Sequence, residues 1–253
     1  MIARMNTPVS SEASSDRPRV FPNTRWSVVL AARRQGTPEA GAALEAICKL
    51  YWHPLFTYVR RCGYPEADAQ DVTQEFFRQL LEKRWLDDVD REKGKLRTFL
   101  MVALKGFMSK ERRRAQAQRR GGGHAHAEFN TEFAESKFAA DKNTPGPDEA
   151  YDRQWALTLL DLAMDRLRGE FVEAGRNDHF EVLKGCLTAD RGTIDYVEMA
   201  ARMGMNEGAA RVAVHRLRKR FREVYREEIA QTLAEGTNAE EEMRHLAAAL
   251  ARG

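Results

Sequence analysis

Residues 195–220 read DYVEMAARMGMNEGAARVAVHRLRKR, and the fold hangs on how this stretch turns. Asp195, with Glu198 three residues on, is a capping-box-like start: a carboxylate at the cap accepts from amides that a helix's first turn leaves unpaired. Met199, Ala200 and Met203 supply an apolar face at packing positions rather than a cofactor box. Gly204 follows Ala200 by four residues, where the chain has to bend sharply and a side chain is costly. Asn206 then caps a second helix, with Ala210, Val214, Leu217 and Phe221 as its inward stripe. A small residue at a close helix approach, a glycine at the bend and a capped second helix make the helix-turn-helix pattern. Glu207, Arg211, His215, Arg218 and Arg222 are expected along one outer face, flanked by Lys219. Arginine pairs bidentately with guanine or phosphate, so this face suits a major groove. The competing reading is an ordinary helical hairpin with a basic, solvated face.

Working outward, the rest of the chain also has helical period. A short helix is expected over 25–35. Thr37-Pro38 reads as a cap followed by proline at the first helical position, ahead of Leu44, Ile47, Cys48, Tyr51, Leu55, Tyr58 and Val59 at helical spacing. Gly63-Tyr64-Pro65 ends that helix. The next, about 66–84, buries Ala69, Val72, Phe76 and Leu80 and turns Asp68, Asp71, Glu75 and Arg78 outward, with Gln74 at its side. A third, about 95–118, buries Leu96, Phe99, Leu100, Ala103 and Phe107. Helices are also expected from Pro147 to about 168, where Tyr151, Trp155 and Leu159 share a core-facing line, and over about 178–187. No segment alternates apolar and polar residues, so no sheet is expected. Between 121 and 146, glycines, prolines and acids without period read as a linker too long for a loop inside a compact domain. The expectation is all-α: two small helical domains joined by a flexible linker, the second containing the helix-turn-helix. The boundaries are a disordered lead over 1–23, a first domain over 24–118, the acidic linker over 119–147, a second domain over 148–228 and a C-terminal helical extension over 229–253. In that extension Met243, Leu246, Ala247 and Leu250 fall at helical spacing; so short a helix needs a surface to dock on.

Composition and charge narrow the function classes. The 253 residues carry a net charge of only +3, yet the charge is unevenly spread. Residues 91–120 hold eleven Lys and Arg against two acids, and residues 211–222 hold six and none, while 124–150 hold six acids against two lysines. Two basic islands around an acidic linker suit a polyanion held at two points. Cys48, Cys62 and Cys186 show neither a disulfide framework nor metal-ligand spacing. His124 and His126 lack further ligands nearby, so neither metal nor cofactor is expected. No apolar run spans a bilayer and the first twenty residues lack the apolar core of a secretory signal, so a cytoplasmic protein is expected. No phosphate-binding loop, dinucleotide fingerprint or nucleophile elbow is present, so the chain is not expected to be an enzyme.

Three segments together resemble a known family. DAQDVTQEFF (68–77), NEGAARVAVHRLRKRFR (206–222) and GKLRTFL with the arginines after it (94–114) resemble parts of the bacterial RNA polymerase sigma factors of the extracytoplasmic-function group. The likeness spans about 38–118 and 148–228. It implies a subunit without catalysis of its own that binds core RNA polymerase and directs promoter recognition and transcription initiation. By that resemblance, Asp71, Gln74 and Glu75 would meet the polymerase. Lys95, Arg97, Lys105, Lys110, Arg112 and Arg113 would hold the minus-ten region of promoter DNA. Arg211, His215, Arg218, Lys219 and Arg222 would read the minus-thirty-five duplex, with Arg216 and Arg220 to the side. An anti-sigma factor or other regulator is a further candidate partner. Departures from the family pattern are Gly106 and Lys110, where an Asn and an Asp are usual, and Phe99 in place of a tryptophan. A stand-alone helix-turn-helix transcription regulator is the alternative.

Overall fold

A computed structural model describes residues 25–34, 37–89, 95–120, 146–190, 192–233 and 238–252. The expected lead, the linker's interior with His124 and His126, and the side chains of 118–120 lie outside the described residues. Every regular element among the described residues is helical: α1 (Arg25–Ala32), α2 (Pro38–Arg61), α3 (Glu66–Glu82), a single 3₁₀ turn (Trp85–Asp88), α4 (Leu96–Arg120), α5 (Pro147–Glu173), α6 (Asn177–Leu183) running into a second 3₁₀ turn (Lys184–Leu187), α7 (Tyr196–Arg202), α8 (Glu207–Ala230) and α9 (Ala239–Ala251). No helix among them is long and apolar enough to cross a membrane.

The helix boundaries follow the chemistry of their ends. The Thr37 hydroxyl accepts from the Ala40 amide, and Pro38 begins α2, where a missing amide costs nothing. Gly63 closes that helix at φ +93°, a region that disfavours any residue with a Cβ.

Two clusters of buried side chains organise the helices. The first is built on Ile47, Tyr51, Leu55, Phe76, Leu80, Leu100 and Leu104 of α2, α3 and α4, and it also takes in Tyr151, Trp155, Leu159 and Ala163 of α5, Val224 and Ile229 of α8, and Leu246 of α9. The second joins Leu167 of α5 to Phe180, Leu183 and Cys186, to Met199, Ala200 and Met203, and to Ala210, Val214 and Leu217. The expected burial of Trp155, Met199 and Met203 is therefore seen.

Contacts also cross between the two expected domains. Helix α5 lies along α2, and the Tyr51 and Trp155 rings stack at 4.7 Å with 9° between their planes. The reason is length and periodicity. At about 1.5 Å per residue, the 27 residues of α5 reach from one cluster into the other. Tyr151, Trp155 and Leu159 of its first half are buried in the first cluster, and Leu167 near its end in the second. The C-terminal extension docks too, inserting Leu246 and Ala249 between α5 and α8.

Candidate nucleic-acid interface

The chain from α7 to α8 is held by hydrogen bonds at each joint. The Asp195 carboxylate accepts from the amides of Val197 and Glu198. At the far end, Gly204 takes φ +65°; its amide donates to Ala201 O at 3.3 Å, and the Met205 amide reaches back to Ala200 O at 3.0 Å. That pair of bonds around a left-handed glycine is the Schellman closure of a helix. Asn206 Oδ1 then accepts from the Ala209 amide at 2.8 Å and opens α8. Two successive helices are thus locked at a tight corner, with Met199 and Met203 against Ala210 and Val214.

The inward line of α8 is Ala210, Val214 and Leu217. At 100° per residue, Gly208, Val212, His215, Lys219, Glu223 and Arg226 stand opposite it, bordered by Arg216 and Arg222, and all eight are exposed. Arg211 and Arg218 lie on the flank, and both guanidinium groups are engaged within the protein. Arg211 pairs with Glu207 at 2.6 Å and sits over the Tyr196 ring, 4.2 Å from its centroid. Arg218 donates from Nε to Cys186 O at 2.9 Å and from a terminal nitrogen to Ala189 O at 2.6 Å. Arg220 grips Glu170 of α5 through two nitrogens, at 2.8 and 2.6 Å, and holds that carboxyl below its usual range. Lys219 comes only to 4.0 Å from Glu223. The sequence placed Arg211, His215 and Arg218 on one outer face. The structure leaves His215, Lys219 and Arg222 open there and adds Val212 and Arg216. A helical wheel centred on the buried stripe was the signal that could have found these two.

On α4 the expected cations divide along the helix. Arg97 is 8% exposed and paired with Asp152 of α5 and Glu242 of α9; Lys95 also pairs with Glu242. Lys105 meets Asp148 at 2.7 Å and lies over the Tyr58 ring. Farther on, Lys110, Arg112 and Arg113 are exposed; Arg112 is hydrogen-bonded to Tyr64. The face of Thr98, Val102, Gly106, Ser109, Lys110 and Arg113 is open to solvent along its whole length.

The acidic face of α3 is also divided. Asp71 and Gln74 are exposed. Glu75 instead accepts from Arg78 at 2.5 and 2.6 Å and from Gln79 at 2.7 Å, and those bonds hold its pKa down to about 2. A carboxylate so engaged must give up internal bonds before it meets a partner, whereas Asp71 need not. Among the described residues no group of His, Cys, Asp and Glu is arranged to hold a metal ion. No family model, curated protein or solved structure matches the chain.

Proposed function

We propose that this protein is a sigma factor of the extracytoplasmic-function kind, which binds core RNA polymerase and directs it to promoters. The observation that carries the reading is the corner at Gly204. It fixes α8 at the start of its exposed face, where Val212, His215, Arg216, Lys219 and Arg222 stand free of the core. Such a face offers phosphate and guanine contacts from its cations and one apolar contact, from Val212, suited to a thymine methyl. Support also comes from a second basic surface, on the end of α4, and from the acidic face of α3 around Asp71 and Gln74. The basic surface suits the backbone of a separated strand. The acidic one suits a basic partner protein through charge-assisted bonds.

The reading carries a geometric demand. Promoter elements 25 base pairs apart are separated by about 85 Å along the duplex, at ~3.4 Å per base pair. A compact chain of this length has a radius of gyration of only about 18 Å. To touch both elements the halves have to part at the α2–α5 contact. Co-purification with core polymerase, followed by promoter-specific transcription by the reconstituted holoenzyme, tests the function. Duplex binding that is equally strong without polymerase, with no co-purification, would replace it with a stand-alone regulator.

A further inference from the structure

Lys95, just ahead of α4, and Arg97 in its first turn are held by carboxylates of α5 and α9. Glu242 is 2% exposed. Its carboxylate meets Lys95 on one side and Arg97 on the other, at 2.8 Å for Arg97. Asp152 takes the remaining side of Arg97 and is itself held by His245 of α9 at 2.9 Å. The Tyr151 hydroxyl donates to the Arg97 carbonyl at 2.9 Å, so the same turn of α4 is pinned through its backbone. Leu246 and Ala249 anchor α9 below this network, and Arg226–Glu240 at 2.9 Å ties its first turn to α8.

Two carboxylates around a lysine and an arginine supply what a phosphodiester backbone supplies: anionic oxygens at ion-pair distance. The occupied donors cannot serve both. We propose that α9 is an autoinhibitory clasp. Glu242 stands in for nucleic-acid phosphate at Lys95 and Arg97 and keeps this end of α4 closed to a strand until α9 is displaced. The inference rests on the nucleic-acid reading of α4 and adds its regulation. The clasp is suited to release. A 13-residue helix is marginal without its docking surface, and a buried ion cluster is far costlier to half-break than to exchange for another set of partners. A polyanion or the polymerase surface provides such an exchange.

The test compares the full-length chain with Glu242→Gln and with Asp152→Asn, each first checked for unchanged helix content by circular dichroism. Two quantities are read: affinity for a single-stranded DNA oligonucleotide against salt, and the rate of acylation of the Lys95 amine by mass spectrometry. With Lys95 and one side of Arg97 available, Glu242→Gln should bind several-fold tighter at 0.1 M salt, with a salt slope steeper by about 0.7 to 1.4, and its Lys95 should react several-fold faster. Asp152→Asn, which frees only one side of Arg97, should show a smaller gain in affinity, and it decides the matter alone if Glu242→Gln fails to fold. Unchanged affinity in folded variants overturns the clasp. If no protein binds the oligonucleotide, the nucleic-acid reading of α4 falls, and Lys95 reactivity by itself decides whether Glu242 shields this site.

Discussion

Arg218 and Arg222 stand one turn apart on α8, and their surroundings assign them different work. Arg218 donates to two main-chain carbonyls, Cys186 and Ala189, at the end of the 3₁₀ turn after α6. It is a strut that holds α8 against the segment before it. Arg222 is exposed, and no hydrogen bond or ion pair engages it among the described residues. Bonds from a charged donor contribute about 1.5–3 kcal/mol each, and partly buried carbonyls left without donors add to the loss. Arg218→Ala should therefore lower the unfolding free energy by about 2–3 kcal/mol, visible as a reduced denaturation midpoint. Arg222→Ala should leave that midpoint in place, weaken DNA binding alike on all sequences and reduce the salt slope by about one. Denaturant titration together with binding at several salt concentrations separates the two roles. The opposite pattern would return Arg218 to the outer face of α8.

At the scale of elements, the acidic side of α3 invites a sharper experiment than a paired charge reversal. Glu75 is bound to Arg78 and Gln79, so changing it also disturbs the helix. Asp71 is exposed and clean. Asp71→Lys should reduce core-polymerase affinity by about tenfold, in keeping with ~1.4 kcal/mol for a lost charge-assisted contact, with no change in thermal stability. Unaltered affinity would take this surface out of the polymerase interface. The junction of α5 and α8 gives a second expectation. Arg220 depresses the Glu170 carboxyl below its ordinary range. A carboxyl with a lowered folded-state pKa contributes stability that is fully present above its unfolded value, near pH 4.3, and is lost as pH falls through the folded value. Melting temperature measured from pH 6 down to pH 3 should fall less steeply in Arg220→Gln than in the parent chain. An identical acid slope would show that this pair is energetically idle.

For the whole molecule, the stacking of Tyr51 on Trp155 is one of the contacts between the two expected domains. Trp155 is fully buried and belongs to the same cluster as Phe76 and Leu104. Trp155→Ala should cost about 3–5 kcal/mol. The loss should appear in both halves at once, because α5 enters both clusters and unfolding should be a single transition. Hydrogen exchange read separately in α3 and in α8 checks this: protection should fall in both. Loss confined to α8 would mean that the halves fold independently. The same contact must open if the chain is to reach two distant promoter elements, so Trp155→Ala should also favour the extended form. Small-angle scattering of the folded variant would show that as a larger radius.

The sequence by itself determined what closes over a few residues. Thr37, Asp195 and Asn206 cap their helices, Gly204 makes the bend, and most of the apolar stripes of α2, α3 and α8 run where periodicity put them, with Val72 and Phe221 only half-buried and Phe77 buried beside the α3 stripe. Caps, turns and i-to-i+4 bonds are complete within one or two turns of chain, so the residue types alone specify them. Only the tertiary structure decided which cations remain available. Lys95 is 147 residues from Glu242, and Arg97 is 55 from Asp152. Periodicity cannot say which distant carboxylate a given arginine will meet. It also marked Trp155 as a core residue without saying whose core. A side chain's burial is written in its own helix; its partner is settled by where the other helices pack, and here that packing set Lys95, Arg97 and Lys105 against carboxylates of α5 and α9.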